Sequence, residues 1–236
     1  MRTPNFVFCL TLFVFIYGNA YAQTVPADSE PVIKGSTSYQ LPRSAIDAGI
    51  DGTITVAIRI DESGKPKALA LISGPMWPCG STPQAALNDL SATLSETLMK
   101  VEFTPAVKKG KPYETTIGLT FKLKNPNIKP AKVELDQMTG KPKPAMINAG
   151  VVNGKAVSLP KPAYPREARM NRDGGAVSIQ VVIDEKGNVI RAGAVNGAPS
   201  LQFASRDAAC GAKFESMLLQ GSPIMVSGVI TYNFVP

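Results

Sequence analysis

The chain has 236 residues, a formal charge of +7 and no histidine. A Ser-His-Asp triad, a Cys-His pair, an H-E-x-x-H zinc site and an imidazole pH switch all need the missing residue, so the reading shifts from enzyme to binding protein. Twenty Gly and twenty Pro among 44% hydrophobic residues suit one or two ordinary domains rather than collagen or a disordered tail.

The N-terminal segment carries Arg2, then an apolar run over Phe6–Tyr17, then Ala20-Tyr21-Ala22. That order describes a secretory signal peptide over residues 1–22 with an A-x-A cleavage site. Twelve apolar residues rise about 18 Å as a helix, short of the ~30 Å hydrocarbon core. The alternative is an uncleaved anchor over residues 6–17, the one route to inner-membrane association. Cleavage removes Arg2 as the only charge, leaving 214 residues at +6. It also removes Cys9, so Cys79 and Cys210 remain. An exported chain permits a disulfide between them, but sequence leaves open a bridge or two separate thiols.

A duplication organises the rest of the chain. Pro42–Gly74 aligns with Pro165–Gly197 at an offset of 123, with nine of 33 positions identical. After a gap, Phe103–Leu123 aligns with Phe214–Phe234 at an offset of 111. The identities fall on turn formers and core-type residues, where a shared backbone needs them.

Each copy reads alike. A short helix comes after Pro42 or Pro165. A strand alternates next: Ile54, Val56, Ile58 and Ile60 in the first copy, Val177, Ile179, Val181 and Ile183 in the second. Asp61-Glu62-Ser63-Gly64-Lys65 and Asp184-Glu185-Lys186-Gly187-Asn188 are hairpin loops, where acidic pairs are ordinary solvated turn residues rather than an acid/base site. Second strands run over Pro66–Ile72 and Val189–Val195. Helices come next over Pro83–Lys100 and Leu201–Phe214, the latter with a stripe of Leu201, Ala204, Ala208, Ala212 and Phe214. Closing strands run over Thr115–Leu123 and Val226–Phe234.

The fold class is therefore α+β. Each repeat is a three-stranded antiparallel sheet in the order 2-1-3, covered by helix on one face. The domains are 39–124 and 159–236. The first is divergent, with a 12-residue insertion around Trp77-Pro78-Cys79. A Pro/Lys-rich linker over 125–158 joins them, and its Asn153-Gly154 dipeptide predicts a small hairpin. No metal or cofactor motif stands out. Export, and basic residues without interleaved aromatics, argue against nucleic acid.

The second copy carries an ordered set of marks: Tyr164, Pro165, Gly175, Asp184, Gly187, Gly197, Phe214, Gly221 and Pro223. Read whole, it resembles the C-terminal domain of the TonB family, and the first copy resembles it more loosely. The resemblance implies a periplasmic, non-enzymatic module without cofactors. Such a module binds a short extended segment of an outer-membrane receptor, the TonB box, and supports transmembrane transport. The last strand of the domain accepts that peptide as an added strand. By position this points to Val226, Ser227, Gly228, Val229, Ile230, Thr231, Tyr232, Asn233 and Phe234. The opposing expectation is an edge already covered by the other copy, by the Asn153-Gly154 hairpin or by a second molecule. A second function class is a structural or regulatory envelope module that uses the domains for self-association or another peptide partner.

Overall fold

The computed structural model describes residues 28–35, 39–128 and 146–236, together with a two-residue ladder between Glu134–Leu135 and Pro142–Lys143. The signal segment over 1–22 and much of the linker lie outside the described residues.

The first sheet is built from β1 (Gly52–Ile60), β2 (Pro66–Ser73) and β4 (Thr115–Leu123), in the order β2-β1-β4 with both pairs antiparallel. Strand β3 (Trp77–Pro78) lies between them in sequence but belongs to the second sheet. Helix α1 is Arg43–Asp47, and α2 (Gln84–Leu98) covers the first sheet. Ala86, Leu90, Leu94 and Leu98 recur every four residues, so one stripe of α2 is buried. It packs on Ile54, Val56, Ile58 and Ile60, the inward set of β1.

The second sheet has β6 (Gly175–Ile183), β7 (Val189–Asn196) and β8 (Met225–Phe234) at its centre, covered by α4 (Pro199–Cys210). Helix α3 is Arg166–Asn171. Here the expected three strands are five. The order is β3-β7-β6-β8-β5, where β5 is Met146–Val151. Both added strands come from outside the 159–236 segment.

Matching turns fix the two hairpins. The Asp61 carboxylate accepts from the N–H groups of Ser63 and Lys65, and the Asp184 carboxylate from those of Lys186 and Asn188. These contacts hold the Asp61 carboxyl well below its ordinary range, led by the hydrogen bond from Lys65. Asp184 is slightly desolvated, which pushes its carboxyl up, but hydrogen bonds from Asn188 and Lys186 outweigh this and bring it down. Gly64 and Gly187 have φ of +85° and +82°. Each backbone presses on a phenylalanine: Phe103 N–H donates to Gly64 O at 3.0 Å, and Phe214 N–H to Gly187 O at 2.9 Å.

Three expectations need correction. Helix α4 ends at Cys210, and Lys213–Phe214 forms a short strand paired with Ala156–Ser158. Of the expected stripe, Leu201, Ala212 and Phe214 are buried and Ala208 packs against the same core, while Ala204 is half-buried. The helix also buries Gln202, Ser205, Arg206 and Ala209, which the stripe did not include. The helix packs against its own sheet and also faces the first unit, so one apolar stripe does not describe it. Finally, Asn153-Gly154 forms no hairpin. Asn153–Lys155 is a 3-10 turn whose flanking strands join different sheets. The Asn153 side chain is bonded to a strand instead of shaping a turn.

Candidate functional site

The predicted edge, Val226–Phe234, lies within β8. Its inner side pairs with β6 along the whole length, from Gly175 opposite Phe234 to Ile183 opposite Val226. Val226, Ile230, Tyr232 and Phe234 are buried, while Val229 and Thr231 are half-exposed and Asn233 is exposed. Burial pushes the Tyr232 hydroxyl up to about 12.

The outer side is occupied by the chain itself. Strand β5 runs parallel to β8, with Met225 opposite Met146, Val226 opposite Ile147, Ser227 opposite Asn148 and Val229 opposite Val151. The register shifts between Ser227 and Val229, where Gly150 turns to φ +64°. Val152 N–H then donates to Val229 O at 2.9 Å. Asn153 finishes the pairing with its side chain. Its Oδ1 accepts from Thr231 N–H at 2.9 Å and its Nδ2 donates to Thr231 O at 2.7 Å. Of the expected coverings, this is the linker's own end, in strand form rather than as a hairpin.

Gly228 makes the approach possible. A Cβ there would come within 2.6 Å of Val152 Cγ1 and 3.2 Å of Gly150 O. Val152 is fully buried in the core of the second unit.

The opposite edge of the second sheet is closed by the first unit. Trp77 and Pro78 of β3 pair with Ala192 and Arg191 of β7, and Cys79 N–H donates to Ile190 O. Cys79 and Cys210 form a disulfide beside this pairing. Arg206 donates to the carbonyls of Ala192, Trp77 and Pro78 and lies over the Trp77 ring at 3.9 Å. Desolvation lowers its guanidinium to about 10. Arg191 pairs with Asp51 across the same junction. Burial pushes the Asp51 carboxyl up, and the Arg191 charge opposes that.

The remaining marks hold the second unit in shape. Tyr164 Oη donates to Asp173 O at 2.6 Å, and its ring meets Phe234 edge-on at 5.5 Å. Pro165 is the N-cap of α3. Gly175 opens β6 at φ +96°. Gly197 has φ +108°, and a Cβ on it would strike Val177. Gly221 turns the Leu218–Pro223 hairpin.

Sequence reasoning missed β5, Val152, Asn153, Gln202 and Arg206. One signal was available. Gly228 sits inside a β-branched run, and an isolated strand glycine marks close backbone approach.

An antiparallel core, one crossover helix and a last strand that carries an added strand define a small α+β module. Residues 160–236 match the family model described as Gram-negative bacterial TonB protein C-terminal. This family comprises envelope-associated protein-interaction domains rather than enzymes. The chain matches no curated protein. Among the described residues, no helix is long and apolar enough to cross a membrane.

Proposed function

We propose that this is a periplasmic TonB-like protein, exported by residues 1–22, that binds a short extended peptide of outer-membrane receptors by adding it as a strand to Val226–Phe234. The observation that carries this reading is β5. An extended segment already lies along that edge as a parallel strand, held largely by main-chain groups and the Asn153 side chain. Strand addition of this kind draws affinity from the backbone and specificity from alternate side chains. Residues 39–124 are read as a divergent copy of the same unit. The paired Phe103–Gly64 and Phe214–Gly187 contacts support that reading.

The test is capture of identified receptors from a solubilised outer-membrane fraction. Val229 offers its backbone to the outer side, whereas that of Ile230 alternates towards β6. Val229→Pro therefore interrupts the outer edge alone. Wild type should retain receptors, and the variant, shown to be folded by circular dichroism, should retain about tenfold less, with a melting temperature lowered by the lost β5 pairing. Equal retention by both would end this reading.

A second reading has its own support. Strand β4 pairs only with β1, and nothing among the described residues pairs with its outer edge. Thr116, Gly118, Thr120 and Lys122 are exposed along it. An uncovered edge is a template for self-association. Sedimentation equilibrium of the mature chain against Gly118→Pro tests it: a concentration-dependent dimer lost in the variant supports it, and a monomer in both refutes it.

A further inference from the structure

The geometry points to Met146–Asn153 as a built-in competitor for the β8 edge, and hence as a template of the ligand. That ligand is an uncharged extended peptide running parallel to β8. It seats a branched aliphatic residue on Gly228 and places a carboxamide residue next, against Thr231. This rests on the strand-addition reading and specifies its partner and its regulation.

The segment has two parts. Before Gly150 it resembles a loosely added strand. Met146 is 46% exposed and Ile147 38% exposed, and what holds them is their backbone pairing with β8. Ser227 Oγ reaches Ile147 O at 3.5 Å. Such pairing is tolerant of sequence. After Gly150 it becomes specific. Val152 drops onto Gly228 and is fully buried, and Asn153 supplies a donor and an acceptor to one residue of β8.

Gly228 is informative because it is not among the glycines at positive φ. Backbone conformation therefore does not demand glycine there. Space does, since any Cβ would meet Val152 and the Gly150 carbonyl. The position is a notch cut to the shape of an incoming chain.

An external peptide of the same form would recover each contact that the internal segment gives up. Exchange then turns on concentration. A tethered segment competes at an effective concentration of roughly millimolar, so the free peptide binds weakly until the tethered one is loosened. Residues 146–154 carry no charge, which sets the same requirement on the core of the ligand.

The experiment uses a labelled peptide of residues 146–155 added to the mature full chain. Three proteins are compared: wild type, Val152→Ala with Asn153→Ala, and Asn148→Cys with Ser227→Cys. The last pair are register neighbours and can be joined to lock β5 in place. The loosened variant should bind the peptide at least about tenfold more tightly than wild type. The locked protein should not bind it until reductant is added, while reductant leaves wild-type binding unchanged. A peptide with Asp in place of its Val152 equivalent should lose at least about tenfold in affinity, since a charge cannot enter the apolar notch.

If the loosened variant does not fold, the locked and unlocked forms decide alone. Binding that ignores the lock overturns the inference, and so does no binding to any folded form at millimolar peptide. Receptor capture on the same proteins separates the two claims. Peptide exchange without receptor capture leaves the competitor standing and removes the receptor function. Receptor capture that ignores the lock does the reverse.

Discussion

The two sheets share a three-strand order but treat their edges in opposite ways. In the second, β3 covers one edge and β5 the other, and both come from outside residues 159–236. In the first, β4 has no partner on its outer side among the described residues, and β2 lies against β7 and α4 of the second unit, where Gln202 Nε2 donates to Ile72 O at 2.6 Å. An exposed edge is a hazard or an invitation. One unit carries an added strand from elsewhere in the chain on each edge, and the other carries none on either edge among the described residues. An identical strand order therefore does not imply an identical binding state.

The largest break in this comparison should come from the disulfide. Cys79 and Cys210 are 131 residues apart, and their bridge ties β3 to the second unit. Cys79→Ser with Cys210→Ser should cost about 4 kcal/mol and lower the melting temperature by about 10 °C. Hydrogen exchange at Arg191 and Ala192 should quicken, while β8 stays protected by β6. Uniform loss of protection would mean that the two edges are not independent.

Next come the paired glycines. A Cβ on Gly64 would fall inside the Phe103 carbonyl, and one on Gly187 inside that of Phe214, both at positive φ. Gly64→Ala and Gly187→Ala should each destabilise by about 2–3 kcal/mol, measured by urea unfolding. A tolerated substitution in one unit only would argue against a common origin of the two hairpins.

Acid should separate the loops from the junction. Asp61 and Asp184 have folded pKa values below their unfolded ones. Their stabilising contribution is present above about pH 4 and is lost as pH falls through the folded values. Asp51 is shifted up, so it has the opposite sign: stability attributable to it falls as pH rises through its folded value. Below about pH 4 the hairpin loops should open before the Asp51–Arg191 junction. Asp61→Asn and Asp184→Asn should flatten the acid limb of the melting curve, and an unchanged limb would contradict the assignment.

These contrasts also explain what was legible in the sequence. Strands β1, β4, β6 and β8 bury one face against a helix, so their side chains alternate and the period can be read. The Asp and Gly of each hairpin perform fixed backbone tasks and stand out. Strand β5 had no such signature, because its side chains are exposed or half-exposed on both faces and its hold on β8 lies in the main chain. Two-residue β3 is too short to show a period. Arg206 and Gln202 lie outside the apolar stripe legible in the sequence, and carbonyls of both units account for their burial. The closing strand β8 was legible from its alternation and pairs with β6 as expected. The linker end around Asn153-Gly154 was among the expected coverings of that strand, but its strand form was not legible.

The smallest test is also the most even-handed. Thr55 and Thr120 share a hydroxyl hydrogen bond at 3.1 Å across β1 and β4, and Ser178 and Thr231 share one at 3.3 Å across β6 and β8. Each pair occupies the same place in its sheet. Cross-strand pairs of this kind are worth roughly 0.2–1 kcal/mol. Thr120→Val and Thr231→Val keep the β-branched shape and remove only the hydroxyl. Asn153 holds Thr231 by its backbone, so the second substitution leaves that clamp intact. Both variants should therefore lose about 0.5 kcal/mol in urea unfolding. A much larger loss at Thr231 would mean that its side chain helps hold β5, so that the covered edge depends on side chains as well as on backbone.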